Sequence, residues 1–237
     1  MSAEEPAHHH EHGGGEDKKR GQDSWNDSAK EYNDMGLASA TSVKCVDFTL
    51  AFMKNVKPYS FNAGSGLKVL EFGCGPGKVI LGLSELVSEG VGMDLAPNMI
   101  SIFESAIESK GLSATYRGQV LQKTDASELP KAYYDLVLAP FVLHHVSEPS
   151  SALKRLVEAV LPSGHLIVAE LVDLEEMMEE HNVERGVHGW LEEGRIDGLL
   201  EGLKLPNLKK VKAEYMTATH DGESISLLIY VIERVAV

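Results

Sequence analysis

At residues 71–77 the backbone is built to lie against something. Glu71-Phe72-Gly73-Cys74-Gly75-Pro76-Gly77 sets three glycines at alternate positions, directly after the short apolar run Lys68–Phe72 and directly before a helical stretch, Lys78–Leu86. Glycine tolerates positive φ and carries no Cβ, and the first turn of the helix offers backbone N–H groups with no partner of their own. A strand, such a turn and a helix together bring backbone close to a ligand at the carboxyl end of a sheet. The spacing is Gly-x-Gly-x-Gly. The dinucleotide fingerprint is Gly-x-Gly-x-x-Gly, and here Lys78 stands where its third glycine would be. Glu71 is unexpected in a purely structural apolar strand, and a carboxylate there can orient the loop or accept from an ammonium group.

The rest of the chain fits one α/β domain. Its 237 residues can bury a core without disulfides or a structural metal. Short apolar strands alternate with helical stretches. Gly90–Asp94 reads as a strand, Pro97–Ser109 as a helix with proline in its first turn, and Ala114–Gln122 as a weaker strand. Tyr134–Ala139 is a strong strand, Pro149–Val160 a helix and His165–Leu171 a strand. Such alternation implies parallel strands with helical crossovers on both faces. Two β-rich runs at the end, Leu208–Met216 and Ser224–Val235, flank the turn signal Thr219-His220-Asp221-Gly222, so a hairpin should leave the last strand antiparallel. The expectation is a doubly wound, seven-stranded, mostly parallel sheet. Helical spacing over Ser28–Met35 and Ser39–Lys54 sets a helical segment, residues 23–57, before it.

Charge and composition narrow the function. The formal net charge is −14, and residues 1–22 account for only −2 of it, so the folded part is acidic. Nucleic-acid backbones bind through Lys and Arg, which makes such partners poor candidates. The one basic cluster, Lys204, Lys209, Lys210 and Lys212, alternates with apolar residues and reads as a solvated face. No apolar run reaches the ~20 residues of a membrane span, and the start lacks a secretory pattern, so a cytoplasmic protein, with the nucleus open to it, is expected. Cys45 and Cys74 show no metal-ligand spacing. Residues 1–22, with His8-His9-His10-Glu11-His12 and Gly13-Gly14-Gly15, have almost nothing to bury and read as a disordered tail.

Four further stretches follow the loop in order: Gly92-Met93-Asp94-Leu95-Ala96-Pro97-Asn98-Met99, Lys123-Thr124-Asp125-Ala126-Ser127-Glu128-Leu129-Pro130, the run Tyr134 to Val146 with its pair His144-His145, and Leu161-Pro162-Ser163-Gly164-His165. With the loop, they resemble the class I S-adenosylmethionine-dependent methyltransferases over nearly the whole ordered chain. The resemblance implies S-adenosylmethionine as cofactor and assigns parts to residues. Gly73, Cys74, Gly75 and Gly77 would pack on its methionine portion. Asp94 would accept from the ribose hydroxyls, with Leu95 and Met99 against adenine; Asp125 would accept from the adenine amino group and the Ala126 N–H donate to its ring. Ala139 and Pro140 would end the strand beneath the sulfonium, although Pro140 has no N–H and leaves only carbonyls for the cofactor's amino group. Tyr32 and Trp25 look like that family's N-terminal lid.

Bland roles stand beside these. Asp94 can be a helix N-cap, Trp25 can staple its helix to the domain, and His144 and His145 can fill space instead of taking a proton from an acceptor hydroxyl or thiol. Met177, Met178 and Trp190 lie in a stretch, residues 172–192, where the family covers its substrate; they can line an acceptor pocket or merely pack. The leading expectation is methyl transfer to an O, N or S atom of a small molecule, with no metal. A non-catalytic scaffold of the same fold and an NAD-dependent oxidoreductase are the competitors.

Overall fold

A computed structural model of the chain describes residues 14–56, 66–172, 194–205 and 207–236, with side chains from Gln22 onward. Residues 1–13 of the tail lie outside them, as do Met177, Met178 and Trp190. Two long helices come first, α1 (Gly14–Asp34) and α2 (Gly36–Val56). After them run β1 (Leu67–Phe72), α3 (Lys78–Gly82), β2 (Val87–Asp94), α4 (Pro97–Ser109), β3 (Tyr116–Val120) and β4 (Tyr134–Pro140). A single 3-10 turn (Leu143–His145) precedes α5 (Pro149–Ala159), β5 (Val160–Val172), α6 (Arg195–Gly202), β6 (Leu208–His220) and β7 (Glu223–Arg234).

The sheet has seven strands in the order β3-β2-β1-β4-β5-β7-β6. Strands β1 to β5 pair in parallel, and β7 runs antiparallel to both β5 and β6. Alternate residues of each central strand face opposite layers, as the two-residue period of a strand requires. Val69, Leu136 and Ile167 face α2, α3 and α4. Leu70, Val137 and Leu166 face α5 and α6. This is the doubly wound arrangement that the alternation predicts. The order reverses between β1 and β4, and ligands of open α/β sheets bind at that switch point, outside the carboxyl ends of the strands. The final hairpin turns on Asp221 and Gly222, both at positive φ (51° and 87°), as a tight two-residue connection needs.

Three expectations need correction. α1 begins at Gly14, within the segment read as disordered; Glu, Asp, Lys and Arg dominate residues 16–20 and no proline interrupts the run to Asp34, so helix propensity carries it back without apolar burial. α3 stops at Gly82 instead of Leu86, because Gly82 lies against Val46 of α2 and the chain then turns so that Leu86 can accept from the Leu67 N–H (2.7 Å). The bend at 161–164 falls inside β5, where the pairing with β4 slips and Ser163 takes φ 65°. Lys210 pairs with Asp197 and Lys212 with Glu214, in keeping with a solvated face.

Candidate active site

The glycine loop leaves β1 with Gly73, Gly75 and Gly77 all at positive φ (69°, 51° and 76°). They do different things. A Cβ on Gly73 would stand 2.2 Å from Val142 Cγ2 and one on Gly77 2.1 Å from Phe103 Cδ2, so those glycines admit the neighbouring turn and helix α4. A Cβ on Gly75 would meet only Met99 Sδ and Tyr32 Cε1, both at 3.8 Å. At Gly75 a side chain would thus be in ordinary contact with α1 and α4, without a clash. Cys74 turns the other way, with its sulfur close over Gly92, and burial pushes its thiol well above the usual range. It is a loop filler, not a nucleophile.

Two carboxylates hold the loop in place. Glu71 is buried on the α2/α3 side of β1 and accepts the Ile80 N–H (2.9 Å), which has no intrahelical partner in the first turn of α3. Of its two readings, orienting the loop is the one the structure bears out. Burial pushes its carboxyl up to about 8, although the Ile80 bond pulls down. The neutral form is therefore the one the fold favours, and its contribution to stability is complete below the unfolded value near 4.5 and lost as pH rises toward about 8. Glu71→Gln keeps an acceptor and cannot ionise; its melting temperature is expected to track wild type at pH 5 and exceed it by several degrees at pH 8.5. A difference that does not change with pH contradicts this.

Asp94, at the end of β2, accepts the Gly75 N–H on one oxygen (2.8 Å) and the Ala96 N–H on the other (2.9 Å). The N-cap of α4 is Ala96, so Asp94 is not the cap; its carboxylate fastens the loop to the turn before that helix. Burial raises its carboxyl above the ordinary value against the pull of those N–H groups. Each oxygen retains a further lone pair, so acceptance from ribose hydroxyls remains open to it. Leu95 is half-buried and Met99 is buried beside the loop. Asp125 is half-buried, held below the usual carboxylate range by hydrogen bonds from Ser127, with burial opposing; the next residue, Ala126, is buried at φ 56°. Ala139 and Pro140 are buried at the end of β4, and the chain turns at Phe141 (φ 55°).

Helix α1 lies across α4, where Ala29, Trp25 and Tyr32 pack with Ala96, Met99 and Ile102. Asn26 and Asn98 clasp the two: Asn98 N–H donates to Asn26 Oδ1 and Asn98 Nδ2 to the Asn26 carbonyl, each at 3.0 Å. Lys78 donates to the Asn33 carbonyl (2.6 Å) and to Ser39 Oγ (2.7 Å), tying the α1–α2 junction to the loop. Burial lowers the Lys78 ammonium below its usual range while Asp34 pulls it up. Trp25 packs edge-wise with Tyr32 (5.6 Å between centroids) and with His145 (4.9 Å), so α1 and the histidine pair meet directly.

His144 and His145 part company. His145 is half-buried under Trp25; His144 is buried and its Nδ1 lies 2.6 Å from Glu170 Oε2. Glu170, on β5, also accepts the Leu143 N–H (2.9 Å). Sequence reasoning missed Glu170, Asn26 and Asn98. Glu170 carried a signal: like Glu71, it is a lone carboxylate in an otherwise apolar strand.

A family model described as a methyltransferase domain matches residues 70–168, the span from β1 through most of β5. Over that span, about two fifths of the chain, the sequence is similar to a methyltransferase domain, and the fold is that of the Rossmann-like methyltransferases. A ubiquinone biosynthesis O-methyltransferase from Bradyrhizobium diazoefficiens is 32% identical over 120 residues, 51% of this chain and 45% of that protein. The chain thus spans about half the length of the curated relatives it matches. Among solved structures, the magnesium protoporphyrin IX methyltransferase of Synechocystis PCC 6803, with bound SAH, superposes with a TM-score of 0.66 at 17% identity, over 90% of this chain and 97% of that one. The [4+2]-cyclase SpnF superposes with a TM-score of 0.60 at 15% identity, covering 81% of each chain. These likenesses establish the fold, and the cyclase is a reminder that one fold hosts more than one reaction. No helix among the described residues is long and apolar enough to cross a membrane, and they contain no cluster of metal-ligating side chains.

Proposed function

We propose that the chain transfers a methyl group from S-adenosylmethionine to an oxygen, nitrogen or sulfur atom of a small-molecule acceptor. The observation that carries the reading is the bare Gly75 backbone, whose N–H is held by the Asp94 carboxylate and which lies between Tyr32 and Met99. It suits a ligand with a hydroxylated ring at Asp94 and an apolar ring against Met99 and Leu95. Bound there, S-adenosylmethionine supplies a methyl carbon already activated on a positive sulfur. The residues then have mainly to bind, orient and exclude water. Gly75 lets backbone approach the ligand while Gly77 seats α4, Asp125 and Ala126 serve the adenine edge, and Ala139 and Pro140 lie under the reacting end. Tyr32 and Trp25 cover it, held down by the Asn26–Asn98 clasp and by Lys78. His144, and less directly His145, sit at the exit of β4, where an acceptor proton would be taken. Oxygen is favoured because the curated relatives, 32% identical over 120 residues and 36% over 107, are O-methyltransferases. An oxidoreductase is disfavoured because Lys78, where a dinucleotide site has its third glycine, is committed to the α1–α2 junction.

Gly75→Ala tests the site without breaking the fold. Alanine at φ 51° costs about 1 kcal/mol, and its Cβ meets nothing closer than ordinary contact. The variant is expected to melt within a few degrees of wild type and to bind S-adenosylhomocysteine at least tenfold more weakly by calorimetry. Undiminished affinity would move the ligand away from Gly75.

A further inference from the structure

Burying a carboxylate in an apolar strand is costly unless each oxygen finds a donor. Glu170 follows Ile167, Val168 and Ala169 in β5 and is only 3% exposed, yet both its oxygens are engaged, Oε1 by the Leu143 N–H and Oε2 by His144 Nδ1. A carboxylate that accepts on both oxygens leaves the proton of the 2.6 Å contact on His144 Nδ1. Nε2 is then the ring nitrogen with a lone pair.

We propose that Glu170 is a positioning residue that holds His144 as its Nδ1–H tautomer, and that Nε2 takes the proton of an acceptor hydroxyl or thiol. This rests on the methyltransferase reading and narrows its acceptor. As the acceptor O–H or S–H bond breaks, the proton passes to Nε2. The freed electron pair forms the bond to the methyl carbon, and the carbon–sulfur bond breaks with its electrons staying on sulfur, which goes from sulfonium to neutral thioether. The imidazolium so formed faces the Glu170 carboxylate at 2.6 Å. His145, with its ring centroid 4.0 Å away, is the other titratable side chain against it. Such a pair has work to do only for an acceptor with a proton to lose. The substrate class is therefore a phenol, enol or thiol, and not a carboxylate.

The test reads the tautomer directly, without needing the acceptor. In full-length protein with 15N-labelled histidine at pH 8, the His144 signals, assigned by their loss in His144→Asn, are expected to show a proton-bearing Nδ1 and a bare Nε2. Glu170→Gln keeps an acceptor for the Leu143 N–H but sets an amide donor against Nδ1, so the proton is expected to move to Nε2. With labelled S-adenosylmethionine and catechol or thiophenol as acceptor, the same variant is expected to lose about 100-fold in kcat, the scale of general-base catalysis. Its KM and its affinity for S-adenosylhomocysteine should stay within about twofold. A wild-type His144 that already carries its proton on Nε2, or an undiminished kcat in a folded Glu170→Gln, overturns the proposal. Wild type that binds S-adenosylhomocysteine but methylates neither acceptor overturns the acceptor class. Wild type that does not bind it at all sinks the methyltransferase reading instead.

Discussion

Gly77→Ala is expected to lower the melting temperature by about 10 °C. Alanine at φ 76° carries about 1–2 kcal/mol of backbone strain. Its Cβ would also stand 2.1 Å from the Phe103 ring, which is fully buried between α4 and the sheet and has nowhere to retreat; overpacking of that kind costs about 1–3 kcal/mol. Together these come to about 3 kcal/mol, and a domain of this size loses about 2–4 °C for each. Thermal denaturation followed by circular dichroism checks it. A loss under about 3 °C would mean that Phe103 repacks freely and that α4 is not seated through this glycine. The contrast with Gly75→Ala is the informative part: two glycines of one loop, one expected to cost fold and the other ligand.

Asp94→Ala should be the most damaging change to cofactor binding. It removes a charged acceptor for the ribose hydroxyls, a contact of about 1.5–3 kcal/mol, and at the same time frees the Gly75 and Ala96 N–H groups that shape the loop. Affinity for S-adenosylhomocysteine is expected to fall by at least about 30-fold, with melting lowered by a few degrees. Asp94→Asn retains one carbonyl oxygen and should fall between the variant and wild type. Calorimetric affinity equal to wild type in Asp94→Ala would leave Asp94 as a loop fastener alone.

What could be read from the sequence was what depends on neighbours along the chain. Short apolar runs announce β1, β4 and β7, the Pro97 signal marks the start of α4, and Asp221-Gly222 marks the hairpin, because each rests on local backbone preference. The loop and Asp94 were legible for the same reason, since short spacings place them on adjacent strand ends. Glu170 was not, because its meaning comes from His144 on a different element, and a strand pattern records only that one apolar position is missing. The Asn26–Asn98 clasp and the Lys78 tie join residues far apart in sequence through backbone atoms, which leave no side-chain pattern to read. Cys74 shows the converse: its place in a ligand loop suggests chemistry, while its contact with Gly92 and its raised pKa make it packing. The start of α1 was missed because a helix of charged residues has no apolar period to reveal it.

The central claim is that the loop at Gly75, with Asp94 beside it, holds S-adenosylmethionine. Isothermal titration of the full chain with S-adenosylhomocysteine and, separately, with NADH tests it most directly. Saturable one-to-one binding of S-adenosylhomocysteine with no heat from NADH is the expected result. Tight binding of NADH with none of S-adenosylhomocysteine would contradict the account.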